Sequence, residues 1–408
     1  MLNWEDIFAT RSSRLKAAVI RELLNLLDRP DIISFAGGIP DPALFPDQDF
    51  KAAYADIFSG AAVNAALQYS VSEGYKPLRE WLVAEMGKIG VPCTADSVFI
   101  VSGSQQGLDY LGKLFLSPGD TALVTWPTYL GALQAFNAYE PTYDQLTLSG
   151  NRTPDSYRKA AQEAGGKVKF AYLSADFCNP TGETVDRAGR EKLIDLADEL
   201  DIAIIEDAAY QSLRYDGEAI PPILALELER KGGDINHTRT IYCGSFSKTL
   251  APGLRVGFVV ANTEVIRKLV LMKQAADLHS STINQMAIAH VAERGFEAQV
   301  AKIKSAYGKR RDAMLHALAT YMPQGVRWTR PEGGMFIWVT LPESLDGASL
   351  LAKAIEKKKV AFVPGKAFHA DGSGANTFRI SFSCADEKTI DEGISRLGAL
   401  IREETGAA

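Results

Sequence analysis

The side chains able to do chemistry recur in one kind of place, directly after a short apolar run. Lys248 closes Ser245-Phe-Ser-Lys248, which follows Thr240-Ile-Tyr-Cys243. A lysine there is partly desolvated and presents the neutral amine that attacks a carbonyl carbon. Arg255, with Ser245 and Ser247, adds charged and hydroxyl donors suited to a phosphate. Asp207 is the second acid of Glu206-Asp207, after Ile202–Ile205. Side chains alternate along a strand, so only one of these two acids enters a site beyond its end. A carboxylate facing a pyridine nitrogen keeps it protonated and makes the ring an electron sink. Tyr210 and Asn179 are suited to hydrogen-bond a phenolic oxygen on such a ring. Gly103-Ser104-Gln105 opens a helix straight after Val98–Val101, where free amides and the helix dipole attract an anion. Tyr129, from Trp126-Pro-Thr-Tyr129, is suited to stack on the ring. Lys248, Asp207 and Tyr129 form the candidate catalytic set.

Singly, these residues read as a surface lysine, a helix cap, a turn and a core tyrosine. Together they meet the needs of a pyridoxal phosphate (PLP) site. The elements that must position them are short. Val98–Val101, Thr121–Val124, Val168–Leu173, Ile202–Ile205, Thr240–Cys243 and Val256–Val260 are apolar runs bounded by turn residues. Such runs fit strands buried on both faces of a parallel sheet, whose ligands lie beyond the carboxyl ends. A helical stretch follows from Leu108 to Leu116, and another spans Val300 to Leu318. Later come strand candidates at Gly334–Val339 and Phe378–Phe382, with helices at Gly347–Lys357 and Thr389–Arg402. Residues 11–29 carry apolar residues at helical spacing up to Pro30. The expected fold class is therefore α/β. A large domain with a mainly parallel sheet between helices (46–300) joins a small α+β domain (301–408), with an N-terminal arm (1–45) packed on the latter.

The 408 residues are 46% apolar and 23% charged, which excludes disordered, collagen-like and coiled-coil readings. Forty-four basic against 50 acidic residues give a net charge of −6, no field for nucleic acid or anionic lipid. Cys93, Cys178, Cys243 and Cys384 form no C-x-x-C pair, and with five scattered histidines there is no metal-ligand spacing. No apolar stretch reaches a membrane span, and Met1–Asp6 lacks a basic start and apolar run. A cytoplasmic enzyme with free thiols is expected.

The ordered set Gly103-Ser-Gln-Gln, Asn179-Pro-Thr-Gly, Asp207-Ala-Ala-Tyr210, Ser245-Phe-Ser-Lys248, Arg255 and Phe378-Arg379 resembles the PLP-dependent aminotransferases of fold type I. The resemblance covers nearly the whole chain. Ser-Lys-x-x-x-Pro-Gly-Leu-Arg, Val19-Ile-Arg-Glu-Leu-Leu and Ser34-Phe-Ala-Gly-Gly38 look like the 2-aminoadipate and kynurenine aminotransferase branch. The resemblance implies a transaminase that moves an α-amino group to a 2-oxo acid, 2-oxoglutarate foremost, by a ping-pong route. It implies that Lys248 forms the Schiff base, Asp207 pairs with the ring nitrogen, and Asn179 and Tyr210 hold the ring oxygen. Ser104, Gln105, Ser245, Ser247 and Arg255 would hold the phosphate. Tyr69 would reach the phosphate of a neighbouring subunit, implying a homodimer with shared sites. Arg379 would clamp the substrate α-carboxylate, helped by the Gly38 backbone, and Arg21 would meet the distal end of the substrate. Cys178 stands where relatives often carry Gln.

Overall fold

The computed structural model describes residues 3–15 and 31–406. Seven strands form the main sheet: β1 (Val98–Val101), β2 (Thr121–Val124), β3 (Thr142–Gln145), β4 (Val168–Leu173), β5 (Ala203–Asp207), β6 (Thr240–Ser245) and β7 (Gly257–Val260), in the order β1-β7-β6-β5-β4-β2-β3. All neighbouring pairs are parallel except those made by β7, which runs antiparallel to both β1 and β6. The apolar runs are continuous because both faces are covered. Along β1, Val98 and Ile100 enter one core while Phe99 and Val101 enter another across the sheet. The polar Thr142–Gln145 run is half-buried throughout, an edge strand the apolar pattern did not mark.

Helix α1 (Ser104–Phe115) begins where β1 ends and lays Leu108 and Leu111 on the sheet. On the other face, α2 (Ile223–Arg230) is capped from within: Glu206 accepts from the amides of Ile223 and Leu224 at 2.8 and 3.1 Å. Helix α3 (Thr263–Ala276) follows β7, and α4 (Thr282–Tyr321) is helical on both sides of position 300, interrupted only at Gly295.

A second, antiparallel sheet contains β8 (Arg327–Trp328), β9 (Phe336–Thr340), β10 (Val363–Pro364) and β11 (Thr377–Ser381), in the order β10-β11-β9-β8. It packs on α4 and on α5 (Glu387–Thr405) through Ile303, Met314, Ile390 and Leu397. Ile32, Phe35 and Ala36 lie in the same core, and Ile33–Ser34 pairs in parallel with Val360–Ala361. The expected helix at Gly347–Lys357 is α-helical to Lys353 and closes as a π-turn over Ala354–Lys358. Of the expected 11–29 helix, Thr10–Arg14 is a 3₁₀ turn and residues 16–30, Arg21 included, lie outside the described residues. Among the described residues no helix is long and apolar enough to cross a membrane.

Candidate active site

The carboxyl ends of β1, β4, β5 and β6 open on one cavity of about 250 Å³. It is lined by Gly38, Ser104, Gln105, Tyr129, Asn179, Asp207, Tyr210, Ser245, Ser247, Lys248, Arg255 and Arg379. These are the expected site residues apart from Tyr69 and Arg21. Tyr69 is 79% exposed on this chain, its ring edge-on to His279 at 6.1 Å.

The acidic pair divides as strand alternation requires. Glu206 turns to the α2 face, while Asp207 turns into the cavity and is buried. Tyr172, on neighbouring β4, donates to Asp207 Oδ2 at 2.7 Å, leaving Oδ1 buried without a hydrogen-bond partner. Burial raises the Asp207 pKa, opposed by the Tyr172 hydroxyl, the Ala209 amide and the Lys248 charge. A buried carboxylate oxygen with no donor among the described residues is costly on its own, so it is matched to a donor from outside them.

Lys248 sits half-buried opposite and donates from Nζ to the Gly38 carbonyl at 2.9 Å. Burial, with Arg379 and Arg255 nearby, lowers its pKa to about 8. A substantial neutral fraction near neutral pH is what a carbonyl-attacking amine needs.

At the head of α1, Gly103 adopts φ +83°, and a Cβ there would lie 2.3 Å from the Arg255 guanidinium. A Cβ on Gly257 would lie 2.6 Å from the Ser104 amide nitrogen. Two bare Cα positions thus let the β1–α1 turn, the start of β7 and Arg255 converge around the free amides of a 12-residue helix. Ser245 Oγ accepts from the Ser247 amide at 3.1 Å in the same corner. Arg255 has no carboxylate partner among the described residues, and its Nη1 reaches only the Pro252 carbonyl at 3.2 Å. The Gln105 amide donates to the Gly131 carbonyl at 2.6 Å, and its oxygen lies 3.4 Å from the Tyr129 hydroxyl. Burial and the Asp207 charge push the Tyr129 phenol up to about 12, so it stays neutral.

Arg379 closes the opposite wall. It is buried, donates to Asn179 Oδ1 and to the Ala36 carbonyl, each at 2.8 Å, and leaves Nε unpaired. Its backbone bond is thus to Ala36, while the Gly38 carbonyl serves Lys248. The guanidinium carbon lies 4.3 Å from the Phe336 ring centroid and 5.1 Å from that of Phe368. Burial lowers its pKa to about 10. A buried cation without a carboxylate partner among the described residues attracts a carboxylate from outside the chain.

The set fits PLP: an unpaired carboxylate oxygen for the ring nitrogen, an anion corner for the phosphate, and a desolvated amine. Tyr172, Ser174 and Ala209 join it without having been expected. Tyr172 and Ser174 occupy alternate positions at the end of β4, the same signal that separated Glu206 from Asp207. Phe336, on β9, and Phe368, at the end of the 3₁₀ turn Gly365–Phe368 after β10, arrive with no local signal. Cys178 has its thiol pushed up to about 12 by burial.

The chain matches the family described as aminotransferase class I and II over residues 31–397. It is 42% identical to an aromatic-amino-acid aminotransferase of Thermococcus litoralis, covering 99% of this chain and 96% of that protein. It is 43% identical to a 2-aminoadipate transaminase of Thermus thermophilus, covering 98% of each. An alpha-aminoadipate aminotransferase of Thermus thermophilus, solved with N-(5'-phosphopyridoxyl)-L-leucine, superposes with a TM-score of 0.88 at 39% identity over 100% of both chains.

Proposed function

The chain belongs to the class I and II aminotransferases, PLP enzymes of fold type I, and we propose that it carries amino groups from 2-aminoadipate-type, aromatic or branched-chain amino acids to 2-oxoglutarate. One observation supports this most: a single cavity gathers the Lys248 amine, an Asp207 oxygen without a hydrogen-bond partner among the described residues, and Arg255 and Arg379 without carboxylate partners among them. When bound, PLP supplies an aldehyde carbon and a ring that accepts the electrons of a breaking Cα–H bond.

The residues then divide the work. Ser104, Gln105, Ser245, Ser247 and Arg255 would bind the phosphate, and Asp207 Oδ1 would keep the ring nitrogen protonated. Asn179 and Tyr210 would hold the ring oxygen, and Tyr129 would stack on the ring. Arg379 fixes the donor's α-carboxylate, which aims the Cα–H bond toward Lys248. With PLP bound, the Lys248 amine would accept that proton and act as the general acid–base of the transfer, a role worth about 10²–10⁴-fold. Arg21 pairs with acidic donor side chains from the N-terminal arm. Two copies share their sites, each supplying Tyr69 to the other's phosphate corner.

The reading is tested by a panel of donors with 2-oxoglutarate, measured as glutamate formed. Parallel double-reciprocal lines are expected, and intersecting lines without a half-reaction overturn the two-step route. Without an acceptor, a transaminase bleaches its cofactor band once and stops, whereas a lyase continues. Repeating the panel with Arg21→Ala should change the kcat/KM ratio of acidic to aromatic donors; an unchanged ratio removes Arg21 from specificity.

A further inference from the structure

We propose that Tyr172 is a positioning residue for the reaction: its hydroxyl holds Asp207 by Oδ2, so that Oδ1 alone is presented to the cofactor's ring nitrogen. This rests on the role given to Asp207 above.

The placement follows from strand register. Tyr172 on β4 stands opposite Ile205 on β5, and Asp207 follows Ile205 on the same face of the sheet. The tyrosine side chain bridges the offset, and its hydroxyl reaches Oδ2 at 2.7 Å. Its ring has no freedom to leave. It is completely buried and packs against Phe136 at 5.6 Å between centroids, nearly edge-on at 78°. Burial and the adjacent carboxylate keep the phenol far above its ordinary pKa, so it remains a donor. No other side chain among the described residues hydrogen-bonds Asp207. Lys248, Tyr129, Tyr210, Cys178 and Cys243 feel its charge without a side-chain hydrogen bond to it.

Two consequences make this more than packing. The terminal torsion of an aspartate is soft, so the fixed Tyr172 hydroxyl, the one side-chain donor beside the Ala209 amide among the described residues, sets which oxygen faces the cavity. A hydrogen bond to the ionised form also makes the carboxylate a weaker base. In a pair that shares one proton, a weaker carboxylate base leaves that proton on the ring nitrogen.

The test compares wild-type and Tyr172→Phe holoenzyme loaded with PLP labelled with ¹⁵N in its ring, by NMR at one pH. The substitution removes one oxygen and keeps the ring that fills the core. The wild-type nitrogen should resonate as protonated, and Tyr172→Phe should move it toward the unprotonated position. Alongside, kcat should fall about tenfold, as expected for a lost hydrogen bond to a charged group, with little change in donor KM because the hydroxyl touches no substrate. An unchanged resonance and kcat, with only a lower Tm, returns Tyr172 to the core and overturns the proposal. An unprotonated wild-type nitrogen instead overturns the role given to Asp207 itself.

Discussion

Lys248 is held neutral-prone by its surroundings, and this makes the pH behaviour of the cofactor-free protein specific. Its pKa is lowered to about 8, below the ordinary lysine value, because burial and two guanidinium neighbours disfavour the charged amine. Only the neutral amine captures an aldehyde. The rate of PLP capture by the apoprotein should therefore climb about tenfold per unit up to pH 8 and flatten above it, followed as growth of the visible absorbance band. A rise that continues toward pH 10 would mean an ordinary lysine. Replacement Lys248→Ala should leave a folded protein that keeps some cofactor through Ser104, Ser245 and Arg255, yet shows no such band and essentially no turnover. Near wild-type turnover would remove Lys248 from the chemistry. At this scale the sequence was informative where strand alternation applied, as in the division of Glu206 from Asp207. It was silent on Phe336, whose contact with Arg379 depends on folding alone.

The β1–α1 turn shows how one element depends on another distant in sequence. Lys273, on α3, is completely buried and donates to Gln106 Oε1 at 2.7 Å and to Asp277 Oδ2 at 3.1 Å. Gln106 Oε1 also accepts from the Ser102 amide at 2.8 Å, and its amide donates to Asp277 at 2.7 Å. The turn carrying Gly103 and Ser104 is thus tied from below by a lysine that ends in an ion pair. Replacing Lys273 by Met leaves Gln106 and Asp277 without their cation; because the amine is buried while Asp277 is exposed, the loss should be about 1.5 kcal/mol, that of a hydrogen bond to a charged group. A lower denaturation midpoint with weaker PLP retention on dialysis is expected. Unchanged values in both would show the network to be idle. The sequence carried little hint of this, because Lys273 reads as one more charge on an amphipathic helix.

At the scale of the whole molecule, the site joins the main sheet to the second one. Arg379, on β11, reaches Asn179, and the Thr128 amide donates to the Phe368 carbonyl at 2.8 Å. Gly182 seals the same seam, since a Cβ there would lie 2.4 Å from the Phe336 carbonyl oxygen. Leu67, Tyr69 and Val71 stay exposed on the single chain, a surface suited to the proposed second copy. Mixing Lys248→Ala protein with Tyr69→Ala protein tests the shared site. In a two-fold dimer, each hybrid holds one site with both residues intact, so exchange should restore about a quarter of wild-type activity. Activity equal to the sum of the two parents would show that each chain is self-contained.

Most of the buried strands, and the residues at their ends, were legible in the sequence because both are local. Apolar runs buried on both faces declare themselves, and glycine, hydroxyl and acidic residues must follow where a ligand meets a parallel sheet. What tertiary structure alone decided was which groups meet across long separations. It brought Tyr172 to Asp207, Gly38 to Lys248, Lys273 to Gln106 and the aromatic rings to Arg379. Those contacts are set by register between strands and by close packing, and neither leaves a mark in the spacing of residues along the chain.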